Sequence, residues 1–176
     1  KTYSLSSSPT EDLLAITFRE GLSERKLALI QLQAGDKLLI TQYGNDYGFQ
    51  LRENRSSTLV AGGVGIAPFR SMLGELYETQ GKNDVHLIYL NKNSDFLFKT
   101  ELEKWRRRLP NIRITYVETS ELNRKKRDKL MLSLIGNVNQ KFYIAGPPSM
   151  VQSTHDLLEN NGVDGRNIKL DSFGGY

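Results

Sequence analysis

The sequence predicts an α/β domain built on a doubly wound parallel sheet of five strands, preceded by a shorter β-rich segment. Two observations predict the sheet. Short apolar runs alternate with helical patterns from residue 58 onwards, and residues 85–90 and 142–144 are almost continuously apolar. The alternation is typical of right-handed crossovers between parallel strands, and the continuous runs are typical of strands buried on both faces. Because the alternation does not extend into the first 52 residues, we predict two domains, 1–54 and 55–176.

Each element follows from a local pattern. Strands are predicted where apolar or β-branched residues cluster, at 58–61, 85–90, 112–117, 141–145 and 167–170. Helices are predicted between and after the first four strands, at 68–79, 95–108, 127–135 and 149–160. In the first segment, two apolar runs predict strands at 13–18 and 37–41, and a helical pattern lies at 23–32.

The composition narrows the class of protein. The chain has 176 residues, of which 38% are hydrophobic and 25% charged, as is usual for globular proteins. Cysteine is absent, which excludes disulfides, thiol catalysis and iron–sulfur ligation by this chain. There is no apolar run long enough to span a bilayer and no signal-peptide pattern. We therefore expect a cytoplasmic protein, with no residues assigned to a metal site.

The formal net charge is +4, and much of the basic charge lies in two runs, 104–108 and 124–129. Basic runs of this kind can bind nucleic acid. No aromatic side chains are interleaved with them to stack on bases, so solvated faces or a docking surface for an acidic protein are favoured.

A glycine-rich turn follows the first predicted strand of the sheet. Gly62, Gly63 and Gly65 stand in the turn, and Pro68 suits the first turn of the helix after it. Glycines allow close approach of a ligand, and the N-terminus of a helix attracts anions. We interpret the turn as a pyrophosphate cradle and expect a Cβ at Gly65 to fill the ligand's space. The alternative is a tight turn that binds nothing, and Pro68 stands where the usual dinucleotide fingerprint has a third glycine.

Three further motifs occur in a fixed order around this turn. Residues 3–9 read Tyr-Ser-Leu-Ser-Ser-Ser-Pro, residues 145–147 read Ala-Gly-Pro, and residues 171–176 end the chain with two aromatic side chains. Together with the glycine turn, these motifs resemble the ferredoxin–NADP reductase superfamily over nearly the whole chain. The resemblance implies part of an antiparallel, FAD-binding β-barrel followed by an NAD(P)-binding α/β domain.

The resemblance also implies a flavin site in the first segment. Tyr3 would pack on the flavin, Ser4 would lie near the reactive nitrogen of its ring as a catalytic residue, and Lys1 would replace the family's arginine beside the pyrophosphate. The helix that begins with Ser23 and includes Lys26 matches the family's second phosphate-binding segment. Ser23 as a plain helix cap is the equally weighted alternative.

On the nicotinamide side, Gly146 and Pro147 match the family's turn after the fourth strand, although Ala145 replaces its frequent cysteine. Lys92, after the second strand, is a candidate contact for the 2′-phosphate of NADPH, whereas NADH would lack that contact. In the tail, Phe173 and Tyr176 are candidates to cover the flavin ring, and Phe173 is preferred as the catalytic aromatic.

These motifs predict a flavin-dependent oxidoreductase that passes hydride from NADPH or NADH to FAD and electrons to an acceptor, possibly an acidic redox protein. One alternative is a regulatory module that keeps the nucleotide fold without flavin. Another is a plain dehydrogenase, which the absence of a Tyr-x-x-x-Lys pair disfavours. A complete barrel of the family needs about 100 residues. The expected reason for the short first segment is that the sequence is a fragment, although supply of the strands otherwise or a degenerate flavin domain is also possible.

Overall fold

The computed structural model of the protein describes residues 2–21, 23–44, 48–52 and 55–173. One short helix, α1 (Glu24–Gln31), lies in the first segment. The strands that follow are β1 (Ser57–Gly62), β2 (Val85–Asn91), β3 (Ile112–Glu118), β4 (Lys141–Gly146) and β5 (Ile168–Ser172). The helices among them are α2 (Ile66–Glu78), α3 (Lys99–Arg108), α4 (Arg124–Leu134) and α5 (Pro148–Asn160).

The strands form a single five-stranded parallel sheet in the order β3-β2-β1-β4-β5. This confirms the predicted doubly wound sheet. Two helices begin three or four residues away from their predicted starts. Helix α3 begins at Lys99 because Phe98 adopts a left-handed conformation, with φ of 60°. Helix α4 begins at Arg124 because the side chain of Asn123 accepts a hydrogen bond from the Lys126 amide and caps it.

The core lies in two layers, one on each face of the sheet. One layer packs α2 and α3 against the sheet, and its largest members include Phe69, Leu73 and Trp105. The other contains side chains of α4 and α5, such as Met131 and Leu158. Because all strands are parallel, their carboxyl ends lie at one edge, where ligands bind in open α/β sheets.

The first segment does not form the predicted strands. Within residues 2–52, as far as they are described, the only β-pairing is a single antiparallel bridge between Leu5 and Ile16. The predicted strands at 13–18 and 37–41 are therefore wrong, and the described residues of this segment do not form the expected part of an antiparallel barrel. A strand is held by hydrogen bonds to a neighbour, and these residues have only the one bridge. Leu13 and Leu39 are consequently 80% and 86% exposed.

The first segment is nevertheless attached to the α/β domain. Phe49 stacks on Phe69 of α2 with ring centroids 5.4 Å apart, and the Tyr143 hydroxyl of β4 donates to the backbone oxygen of Gln50. The domain boundary at residue 54 stays a prediction, since residues 53 and 54 lie outside the described part of the chain.

Candidate functional site

The glycine turn lies at the carboxyl edge of the sheet. Strand β1 ends at Gly62, a 3-10 turn covers Gly63–Gly65, and α2 begins at Ile66. Gly63 has a φ of 53°, a conformation that favours glycine. No side chain caps α2 at this end. The Ile66 amide donates to backbone oxygens of the preceding turn, at Gly63 and Val64, and Pro68 within the first turn of α2 has no N–H to leave unpaired. This geometry suits an anion in front of the helix.

The three glycines serve different purposes. A Cβ at Gly65 would lie 2.1 Å from the backbone oxygen of Ala145, and one at Gly62 would lie 2.4 Å from the methyl group of Met150. These two glycines allow the turn to pack against β4 and α5. The expectation that a Cβ at Gly65 fills ligand space is therefore wrong, because it would strike the neighbouring strand. Gly63 faces the more open side, and its nearest neighbour is a flexible arginine side chain.

That arginine is Arg19, which the sequence reasoning missed. Its Nη2 lies 3.4 Å from the position that a Cβ on Gly63 would take. Arg19 is exposed, and in the described ranges it has no carboxylate at salt-bridge distance. The Tyr89 hydroxyl donates to the backbone oxygen of Gly63 at 3.0 Å and supports the same turn. Burial raises the pKa of Tyr89, so its hydroxyl stays protonated as a donor. A guanidinium above a glycine turn adds positive charge where the helix N-terminus already favours an anion.

A second group lies at the end of β5. The Ser4 hydroxyl donates to Oδ2 of Asp171 at 2.6 Å, although the two residues are 167 positions apart. Asp171 pairs with Ala145 in the sheet, so it stands beside the start of the turn after β4. Burial raises the pKa of the Asp171 carboxyl above its usual range, and the hydrogen bond from Ser4 partly opposes this shift. The sequence reasoning found Ser4 but missed Asp171, which is isolated in a short strand.

The tail approaches this group. The Phe173 amide donates to the backbone oxygen of Gly146 at 3.0 Å, and the Phe173 side chain packs against the core layer under α2. Gly146 has a φ of 152°, and a Cβ there would lie 3.1 Å from the Cα of Gly62. The turn after β4, including Pro147, therefore lies against the end of β1, and the aromatic tail lies beside it.

One aromatic contact joins the neighbourhood of Arg19 to the flavin-type motif, by which we mean Tyr3 and Ser4. Tyr3 meets Phe18 edge to face, with ring centroids 6.1 Å apart, and Phe18 directly precedes Arg19. Ser4 follows Tyr3 in the chain. The predicted residues Lys1 and Tyr176 lie outside the described residues.

Ser23, Lys26 and Lys92 are also predicted site residues. No contact between described residues joins them to the glycine turn or to the Ser4–Asp171 group. Ser23 occupies the N-cap position of α1, but its hydroxyl makes no capping hydrogen bond. Lys26 is only 8% exposed, and its ammonium group lies over Gly21. Lys92 is exposed in the loop after β2, where its backbone oxygen accepts a hydrogen bond from Ser120.

The described residues contain no cluster of three or more side chains suited to hold a metal ion. In the same part of the chain, no helix combines the length and apolar character needed to cross a bilayer. The fold and the carboxyl-edge site together define a dinucleotide-binding α/β domain joined to a second segment that contributes to the same edge.

Comparison with known proteins agrees with this class. A family model described as the oxidoreductase NAD-binding domain matches residues 59–156, which is more than half of the chain. The chain belongs to this family, and the resemblance to the ferredoxin–NADP reductase superfamily is confirmed.

The curated relatives extend over most of the chain. Reductase component 1 of terephthalate 1,2-dioxygenase from Comamonas sp is 26% identical over 183 residues, covering 98% of this chain and 54% of the relative. A flavohemoprotein from Bacillus subtilis (strain 168) is 25% identical over 185 residues, covering 99% of this chain and 46% of the relative. The chain thus spans about half the length of these relatives.

Solved structures share the fold. Ferredoxin-NADP+ reductase from Plasmodium falciparum gives a TM-score of 0.72 at 21% identity, covering 97% of this chain and 76% of the other. The flavohem-like FAD/NAD binding domain of nitric oxide dioxygenase from Vibrio cholerae O1 biovar El Tor gives 0.70 at 19% identity, covering 99% and 77%.

Proposed function

We propose that this chain is the nucleotide-binding part of a flavin-dependent NAD(P)H oxidoreductase that passes hydride to FAD and electrons onward to an acceptor. The observation that carries the proposal is the meeting of two groups at one edge of the sheet. The glycine turn with Arg19 forms one group, and Ser4, Asp171 and Phe173 form the other. Hydride transfer requires two cofactors held face to face, and this arrangement offers a place for each.

The first group fits the pyrophosphate of NADPH or NADH. Gly63 leaves room in front of the α2 N-terminus, and Arg19 supplies a positive charge at the same place. A guanidinium can donate two parallel hydrogen bonds to a phosphate. The backbones of Gly62 and Gly65 complete the turn, and Pro68 keeps the helix start free of an unpaired N–H. Lys92 is proposed to contact the 2′-phosphate, which favours NADPH over NADH.

The second group fits a flavin ring. FAD, when bound, supplies the acceptor for the hydride and the store for two electrons. Tyr3 is proposed to pack on the flavin, and Ser4 is proposed to orient a polar atom of the ring. Because the pKa of Asp171 is raised, the Ser4–Asp171 pair can hold a proton close to the ring at a pH where an exposed carboxyl has lost its own.

The tail and the turn after β4 define where the nicotinamide would enter. Phe173 is proposed to shield the flavin ring from water and to yield to the nicotinamide. Gly146 and Pro147 then let the nicotinamide approach without a side chain in its way. Lys1 and Tyr176 remain proposed contacts of the flavin, as do Ser23 and Lys26 for its phosphates.

The electron acceptor is proposed to be an acidic redox protein. Residues 99–129 contain eleven Lys and Arg against five Asp and Glu, so this segment carries more positive charge than the chain as a whole. Complementary charge speeds association and weakens with salt. One relative is named a reductase component of terephthalate 1,2-dioxygenase and another the electron transfer component of toluate 1,2-dioxygenase, and these names support transfer to a protein partner. A cytoplasmic location remains part of the proposal.

The spectrum of the purified protein tests the function. We expect a yellow protein, or one that turns yellow with FAD, whose visible flavin band bleaches when NADPH is added without oxygen. A matched variant, Ser4→Ala, should bind FAD yet bleach more slowly, because it loses its link to Asp171. A protein that binds NADPH but takes up no FAD would refute the proposal and support the regulatory alternative, which the relatives do not favour.

A further inference from the structure

Arg70, in the second turn of α2, uses every hydrogen-bond donor that it has. A guanidinium carries five N–H groups, and all five are paired at 2.7–2.9 Å. Glu101 accepts two of these bonds, Glu11 accepts two, and the backbone oxygen of Ser6 accepts the fifth. The Arg70 side chain is 13% exposed. An arrangement with two bidentate carboxylates fixes the guanidinium in position and orientation.

These acceptors belong to different parts of the chain. Glu101 lies on α3, whereas Ser6 and Glu11 lie in the segment that contains the flavin-type motif. The amide of Ser8 also donates to Glu11, so this carboxylate holds the turn at 6–11 together. We call Arg70, Glu11, Glu101 and the backbone of Ser6 the Arg70 clamp. The clamp joins the first segment to both helices on one face of the sheet.

Packing around the clamp shows a close fit. The Cζ atom of Arg70 lies 5.3 Å from the ring centroid of Phe98 and 5.8 Å from that of Trp105. One turn further along α2, a Cβ on Gly74 would lie 3.1 Å from the Cβ of Ser8. The first segment therefore lies close to α2 at Gly74, where a Cβ would crowd Ser8, and the guanidinium holds the segment there.

The clamp is charged at neutral pH. Hydrogen bonds from Arg70, then from the Ser8 amide, lower the pKa of Glu11 to about 2. The bonds to Glu11 raise the pKa of Arg70 still further above its usual range. Since the Glu11 pKa is depressed in the folded state, its contribution is present above the ordinary carboxyl range and is lost as the pH falls towards 2.

The position of the clamp gives it a role beyond attachment. Ser6 stands two residues after Ser4, and Arg70 stands two residues after Pro68, on the helix that begins at the glycine turn. We propose that Arg70 is a positioning residue that sets the flavin-side motif at a fixed distance from the glycine turn, and hence the two cofactors in register for hydride transfer. This inference rests on the proposed function above.

A positioning role predicts a specific loss. Release of the clamp should leave the glycine turn and its nucleotide affinity intact. It should shift the segment that contains Tyr3 and Ser4 relative to that turn. Small misplacements of reacting groups can slow a reaction about a hundredfold. Lys carries three donors on a flexible stem instead of five in a planar fork, so Arg70→Lys should restore only part of what Arg70→Met loses.

The experiment compares Arg70→Met, Arg70→Lys and Glu11→Gln in the full chain loaded with FAD. The matched control is Arg166→Met, which breaks an exposed ion pair with Asp164, remote in the chain from the clamp residues. We expect the dissociation constant of NADPH to stay within about threefold of the wild-type value, and the rate of flavin reduction in a single turnover to fall roughly tenfold to a hundredfold. Arg70→Lys and Glu11→Gln should be intermediate, and the control should match the wild type.

Two readouts do not depend on activity. Hydrogen exchange of the amides at 6–15 should become faster in the Arg70 and Glu11 variants but not in the control. Trp105 is the chain's one tryptophan, and it lies beside Arg70, so its emission should shift in the Arg70 variants. Both readouts report release of the first segment directly.

The outcomes separate the two proposals. If the wild type binds no FAD, or its bound flavin is not reduced, the proposed function fails. Suppose that the wild type reduces its flavin and that all three clamp variants reduce theirs at the rate of the wild type or of the control. Arg70 then does not position the cofactors. Parallel loss of nucleotide affinity and rate would also overturn the inference, since it indicates general damage. If Arg70→Met does not fold, Arg70→Lys and Glu11→Gln decide.

Discussion

Loss of the Arg19 charge should weaken nucleotide binding by a calculable amount. In Arg19→Gln, the guanidinium near Gly63 is replaced by a shorter, neutral amide. Hydrogen bonds to charged groups contribute about 1.5–3 kcal/mol. Because Arg19 is exposed and water screens its charge, the lower end applies. We therefore expect about 1.5 kcal/mol, which corresponds to roughly tenfold weaker binding of both NADPH and NADH.

The assay is a titration followed by energy transfer from Trp105 to the bound nicotinamide, repeated at several salt concentrations. The wild-type affinity should fall more steeply with salt than that of the variant, because the variant lacks one phosphate contact. Arg166→Gln is the control, since Arg166 pairs with Asp164 and has a 90% exposed side chain. Unchanged affinity in Arg19→Gln, or an equal loss in the control, would refute the assignment of Arg19 to the pyrophosphate site.

Four other changes test the site and the fold. Gly65→Ala should lower the melting temperature, since its Cβ would lie 2.1 Å from a backbone oxygen, whereas Gly63→Ala should melt closer to the wild type, with a strain of about 1–2 kcal/mol from its left-handed backbone. Lys92→Ala should weaken NADPH binding in calorimetry and leave NADH binding nearly unchanged. Asp171→Asn should gain stability relative to the wild type as the pH rises through the raised pKa of Asp171, because the wild type must then ionise a half-buried carboxyl. Phe173→Ala should release flavin more easily and change its fluorescence.

Each of these tests has a contrary result. Equal melting temperatures of the two glycine variants would remove the packing role of Gly65. Equal effects of Lys92→Ala on both nucleotides would remove Lys92 from the 2′-phosphate site. A stability difference that does not vary with pH would contradict the burial of Asp171. If Tyr176→Ala releases flavin and Phe173→Ala does not, the aromatic of the tail has been assigned to the wrong residue.

Much of the α/β domain is determined by the sequence through local patterns. The apolar run at 85–90 predicts a buried central strand because its neighbours on both faces must be apolar, and β2 lies second in the sheet order. The glycine turn is equally local, since its closely spaced glycines and the start of the following helix lie within a few consecutive residues. By contrast, the apolar runs at 13–18 and 37–41 predict strands that do not form, because a strand also depends on a partner that the run itself does not contain.

The site itself is determined by the tertiary structure. Ser4 and Asp171 meet across 167 positions, and Arg70 meets Glu11 across 59. No local pattern predicts which carboxylate a hydroxyl or guanidinium will find. The same holds for Gly63 and Gly65, which are alike in the sequence but differ in what surrounds them, a flexible arginine for one and a strand backbone for the other. Periodicity follows from the geometry of one element, whereas a site follows from the packing of several.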